Sequence, residues 1–179
     1  TIRGGAGADT LTLNATGTTV DTIVFSDGAG TVGITAAADR DTVTNFNVNN
    51  DKIQLDREQT TNNNDGAGAT PVLQVVGTAG AFTAQNTADL TVLNFDLGGS
   101  TAVIGATIDG SALLANTGTI TVTANDKGYI LAYDNGTAYL FAYTDGGNTS
   151  LAANEIALIG TFNGVAVGAL GQTNFTLGA

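Results

Sequence analysis

Hydrophobic and polar positions alternate in short bursts along most of the chain, and glycine, asparagine and aspartate separate the bursts. VLQVV, LTVLNFDL, TAVIGATI and TITVTAN keep the period of two that sends successive side chains to opposite faces of a sheet. The clearest element is YILAYDNGTAYLFAY, where aromatic and aliphatic residues flank Asn135-Gly136 on both sides. An Asn-Gly pair readily takes the two positive φ values of a type I′ turn, so this stretch predicts a two-stranded hairpin. One helical turn is predicted, at DGSALLAN, with Asp109 or Ser111 as its N-cap.

The pattern divides the chain in three. Residues 1–58 read as short strands punctuated by glycine, with one unit recurring: Asp9-Thr10-Leu11, Asp21-Thr22-Ile23 and Asp41-Thr42-Val43. Each Asp closes a turn and each apolar residue opens a strand, which is how the coils of a solenoid are written. The polar run QTTNNNDGAGAT at 59–70 reads as a loop or linker. Longer alternating stretches fill 71–179. The expected fold is all-β: a short parallel β-roll or solenoid first, then an antiparallel β-sandwich or meander.

Composition sharpens this picture. The 179 residues include 25 Gly and 30 Thr, one Pro, and no His, Cys, Met or Trp. Thr suits strands and Gly suits tight corners. Sixteen acidic residues face five basic ones, for a net charge of −11. That balance argues against nucleic acid or an anionic membrane as partner and suits divalent cations. Without cysteine there is no disulfide framework and no zinc–thiolate site. No apolar run reaches the roughly 18 residues of a membrane span. The lack of an initiator Met and of a signal peptide is read as a chain that starts inside a longer protein.

Glycine-rich GGAGADTLT, near the start, is followed by a strand pattern and by no lysine, so it is not a phosphate loop. It fits G-G-x-G-x-D-x-U-x, with U a large aliphatic residue, at Gly4, Gly5, Gly7, Asp9 and Leu11. Calcium is a hard cation that takes six to eight oxygens at about 2.3–2.6 Å. Glycines let the backbone turn several carbonyls toward one point, the aspartate adds charge, and the leucine anchors the loop to a core.

On these residues the chain resembles the C-terminal region of RTX-type, type I secreted bacterial proteins, among them the metalloprotease β-roll and RTX surface-layer proteins. VDTIVFSD and RDTVTNFNVNNDKIQLD extend the likeness, with Asp41, Thr42, Val43, Phe46, Asp51, Lys52, Ile53 and Leu55 on the family's closing pattern. Asn45, Asn49 or Asn50, and Gln54 depart from that pattern. The last strands and TNFTLGA loosely resemble the family's C-terminal secretion signal. The resemblance implies calcium held between loops of stacked coils. Its ligands would come from Gly4, Gly5, Gly7, Asp9, Asp21, Asp27, Asp41, Asp51 and Asp56. Asp27 lies 18 residues after Asp9, two nonapeptides on, and is a candidate to complete a site. The competing reading of Asp41, Asp51 and Asp56 is turn-capping aspartate.

The function expected from the resemblance is a calcium-dependent, secreted extracellular structural protein, at the bacterial cell surface. It would be a surface-layer subunit or anchor that associates with itself or with an upstream part of the same protein. Two alternatives stand beside it: a secretion and stabilisation module of a hydrolase, and an adhesin binding carbohydrate through Tyr129, Tyr133, Tyr139, Phe141 and Tyr143. Cross-strand packing in the hairpin is the simpler account of those rings. Catalysis is not expected, since the chain offers no His or Cys, no G-x-S-x-G around its four serines and only two glutamates. The sequons at Asn14, Asn135, Asn148 and Asn174 are read as accidents of an Asn- and Thr-rich composition.

Overall fold

A computed structural model of the chain describes residues 1–5, 7–14, 16–25, 40–61, 68–99, 103–104 and 110–178. Four short strands come first: β1 (Thr10–Thr12), β2 (Thr22–Phe25), β3 (Asp41–Thr44) and β4 (Lys52–Asp56). After them come β5 (Leu73–Val76), β6 (Phe82–Thr83), β7 (Leu90–Asp96), the helix α1 (Ser111–Thr117) and β8 (Ile120–Thr121). The chain closes with β9 (Lys127–Asp134), β10 (Thr137–Thr144), β11 (Ile156–Asn163) and β12 (Phe175–Gly178). Among the described residues the fold is mostly strand, all-β in class, with one short α-helix.

Seven strands form one sheet in the order β1-β3-β11-β10-β9-β7-β5; β12-β4-β2 form a second and β6-β8 a third. The first four strands alternate between the two larger sheets, and within each sheet they pair in parallel. The last two repeat the step, β11 joining β3 and β12 joining β4, both in parallel. In register, Leu11 stands beside Val43 and Val43 beside Phe162, while Ile23, Ile53 and Phe175 line up across the second sheet. All of these but Leu11 are essentially fully buried. The physical cause is alternation: in TLT, TVT and KIQ the middle apolar residue points between the sheets, and its polar neighbours point the other way. Burying one such side chain stabilises by about 1.5–3 kcal/mol.

The core has two parts, one on each face of the seven-stranded sheet. Ile23, Val43, Ile53, Leu131 and Phe162 belong to the part shared with the three-stranded sheet. Leu113 of α1, Ile120 of β8, Ile130, Phe141 and Ile156 belong to the other. β9 and β10 therefore have both faces covered, which explains why their sequences are apolar at nearly every position. Between them Asn135 and Gly136 take φ of 48° and 75°, the mirror-image turn expected for this pair.

Three expectations need correction. The region after residue 70 is not simply antiparallel: β9, β10 and β11 form an antiparallel meander, but β5, β7 and β9 lie parallel. Parallel neighbours need crossover connections, and the one from β7 to β9 carries α1 and β8. The N-cap of α1 is Gly110, with Ser111 as the first helical residue and no side-chain cap bond; Asp109 lies outside the described residues. TITVTAN contributes only the two-residue β8, and most of TAVIGATI lies outside the described residues.

The start of the expected loop or linker is tied to the hairpin, and 62–67 lie outside the described residues. The Gln59 amide donates to Tyr143 O at 2.8 Å and to Thr144 Oγ1 at 3.0 Å, and Thr60 is fully buried. Thr61 N donates to Lys127 O at 2.9 Å. The seven-stranded sheet itself takes β1 and β3 from residues 1–58 and its other five strands from 71–179.

Candidate functional site

In the glycine loop ahead of β1, Gly5 and Gly7 hold φ of 95° and 108°, a region that side chains disfavour. Asp41, the first residue of β3, lies against this loop. Its Oδ1 accepts the Asp9 backbone N–H at 3.1 Å, and Asp9 O accepts from Thr42 N at 2.8 Å. A Cβ on Gly4 would stand 2.3 Å from Asp41 Oδ2, so the carboxylate fits only because Gly4 has no side chain. Asp9 Oδ2 is shielded from solvent and has no hydrogen-bond partner. Gly4, Asp9 and Asp41 are thus brought together, a pairing the glycine spacing did not point to, since it named Asp27 as the residue to complete the loop.

The same device recurs one strand later. Asp51 Oδ1 accepts the Asp21 N–H at 3.0 Å, its Oδ2 accepts from Asn47 N at 2.9 Å, and Asp21 O accepts from Lys52 N at 2.8 Å. Asp51 is 2% exposed. In both pairs the aspartate entering the later strand clamps the backbone of the aspartate entering the earlier one. Asp9 and Asp41 stand at the entry to the seven-stranded sheet, Asp21 and Asp51 at the entry to the three-stranded sheet.

A third clamp was not anticipated. Asp89 Oδ2 accepts the Val72 N–H at 2.7 Å where β7 and β5 begin, and Asp89 is fully buried. The signal in the sequence is Asp89-Leu90-Thr91-Val92, an aspartate directly ahead of an alternating strand. Asp126, also missed, is 1% exposed ahead of β9; its carboxylate accepts from the Thr61 hydroxyl, Lys127 N and the Tyr143 hydroxyl.

Asp56 belongs elsewhere. It caps the 3-10 turn Arg57–Gln59, its Oδ1 accepting from Glu58 N at 2.8 Å, while its Oδ2 is buried without a partner. Tyr129 closes over it: the hydroxyl accepts from Asp56 N at 3.0 Å and donates to Asp56 O at 3.2 Å. Burial, then the nearby Asp56 charge, hold the Tyr129 hydroxyl well above its ordinary pKa. Burial followed by the Asp126 charge does the same to Tyr143. Asp27 lies outside the described residues.

Tyr129, Tyr133, Tyr139, Phe141 and Tyr143 are at most 8% exposed, so the hairpin presents no aromatic platform to a sugar. Among the described residues no three His, Cys, Asp or Glu side chains converge on a point that could hold a metal ion. No helix among them is long and apolar enough to cross a membrane. No protein-family model, curated protein or solved structure matches the chain. What the strand entries offer is oxygen: the aspartate carboxylates that hold backbone N–H groups, and the unpartnered Asp9 Oδ2.

Proposed function

We propose that this chain is a calcium-dependent β-roll segment of a type I secreted extracellular structural protein, a subunit or anchor of an assembly at the bacterial surface. The observation that carries this reading is Asp9 Oδ2, a buried carboxylate oxygen with no partner, in a glycine loop stacked on Asp41. Leaving a buried charged acceptor unsatisfied is costly, and a hard cation beside it removes that cost. The path of the first four strands between two parallel stacks suits such a roll. Asp9, the carbonyls of Gly4, Gly5 and Gly7, and Asp41 would hold the ion. Calcium supplies positive charge between coils that otherwise repel.

The mechanism is folding coupled to binding. Where free calcium is scarce, a chain of charge −11 repels itself and stays extended. In millimolar calcium, binding to the folded state alone stabilises it by about 2.7 kcal/mol per site at 100-fold saturation. Circular dichroism and light scattering in calcium and in chelator test this directly. A compact β signal in calcium that is lost in chelator, with Asp9→Asn needing more calcium to fold, is the expected result. An unchanged fold in chelator would overturn it.

A further inference from the structure

The charges of this molecule are unevenly placed. Neither 66–88 nor 156–178 contains an Asp, Glu, Lys or Arg, although the chain as a whole carries −11. The fold brings these two segments together: Gln172 Nε2 donates to Pro71 O at 3.0 Å, and Leu177 N to Ala69 O at 2.8 Å. On them sit three of the four exposed large hydrophobic residues of the described chain, Val72 (42%), Val75 (61%) and Val167 (40%).

The same region holds a sheet edge. β5 pairs with β7 on one side, and among the described residues no strand pairs with it on the other. Val72 O accepts from Asp89 N and Leu90 N, so Val72 turns its backbone toward β7. By alternation Gln74 does the same, and Leu73 and Val75 direct their N–H and C=O groups outward. Edge strands are ordinarily guarded by lysine, proline, a bulge or extreme shortness. LQVV has no such guard within it. The sheet's other edge, β1, is only three residues long and follows Asp9.

We propose that β5 is a self-association edge whose occupant is β5 of a second copy, paired antiparallel about a two-fold axis through Gln74. This supplies the contact for the self-association in the function proposed above, and rests on that reading. Charge selects the occupant: two copies of a polyanion repel least where both are uncharged, and here that face also exposes valine. The register follows from the alternation. Leu73 and Val75 of one copy form hydrogen-bonded pairs with Val75 and Leu73 of the other, and the exposed Val75 packs on its neighbour's Leu73. Gln74 meets Gln74 at a non-hydrogen-bonded position, with Cα atoms about 4.5 Å apart. A two-fold contact of this kind closes into a dimer.

Light scattering in calcium, over a series of protein and salt concentrations, measures the mass. A dimer that strengthens with salt is expected, because salt screens the repulsion and leaves the apolar contact intact. Val75→Lys should give a monomer with unchanged circular dichroism. The chain has no native cysteine, so Gln74→Cys should form a disulfide-linked dimer on mild oxidation while Val20→Cys, exposed just ahead of β2 of the other sheet, should not. A wild-type monomer at all concentrations overturns the proposal, as does a dimer that survives Val75→Lys or Gln74→Cys chains that fail to cross-link. The calcium reading is judged separately, by the same chain in chelator. A folded monomer that unfolds there keeps that reading and removes this one.

Discussion

At the residue scale, buried aspartate is the recurring device, and the backbone N–H is what it holds. Asp51 satisfies two such donors, Asp21 N and Asn47 N. Asp51→Ala leaves both without an acceptor inside the fold and should destabilise by about 3 kcal/mol, with Asp51→Asn milder because it keeps one acceptor oxygen. Chemical denaturation of the two variants side by side checks the order. Gly4 fails for a different reason. Its missing Cβ makes room for the Asp41 carboxylate, so Gly4→Ala should cost about 1–3 kcal/mol through displacement of Asp41. If Gly4→Ala proves neutral while Asp9→Asn does not, the loop accommodates a methyl group and the close approach is not what the glycine is for.

At the element scale, short strands hold because each is paired and stacked. β2 and β4 are four and five residues long, too short to persist alone, yet Ile23 and Ile53 are fully buried side by side. Ile53→Ala in the middle strand of its sheet should cost about 2–5 kcal/mol, the transfer and cavity terms together. The hairpin of β9 and β10 tolerates change at its tip better than along its length. Gly136 sits at φ 75°, so Gly136→Ala places one alanine in the left-handed region, for about 1–2 kcal/mol. Thermal melts should rank Ile53→Ala below Gly136→Ala. The reverse order would mean that the turn, and not the stacked core, limits the stability of the sheets.

At the scale of the whole molecule, the tyrosines set an alkaline limit. All four lie in β9 and β10, and each hydroxyl is raised above its ordinary pKa, first of all by burial. Between the unfolded value near 10 and the higher folded values, the unfolded chain has lost protons that the folded one keeps. Stability is therefore complete below about pH 10 and falls as pH rises through that window, by up to about 1.4 kcal/mol per pH unit for each of the deeply buried Tyr129 and Tyr143, and by less for Tyr133 and Tyr139, which solvent screens. Tyrosinate absorbance and circular dichroism should change together. Free ionisation of Tyr129 and Tyr143 in a chain that keeps its β signal would contradict their burial.

Much of this was legible in the residues themselves. Local stereochemistry determined the all-β class, the Asn135-Gly136 hairpin and the corners at Gly5 and Gly7, because positive φ and period-two alternation act over a few neighbours. The pairing of Gly4 and Asp9 with Asp41 was not legible, because the nonapeptide spacing pointed to Asp27 while Asp41 comes from a strand 32 residues after Asp9. Only the tertiary structure decided that β11 and β12 return, more than a hundred residues on, to sit beside β3 and β4. It also decided that β5, β7 and β9 run parallel and that Asp89 clamps Val72. An aspartate ahead of a strand is written the same way whether it faces water, a cation or a neighbour's N–H. Which one it meets depends on the strand laid beside it, and that is set by core packing between residues far apart in the chain.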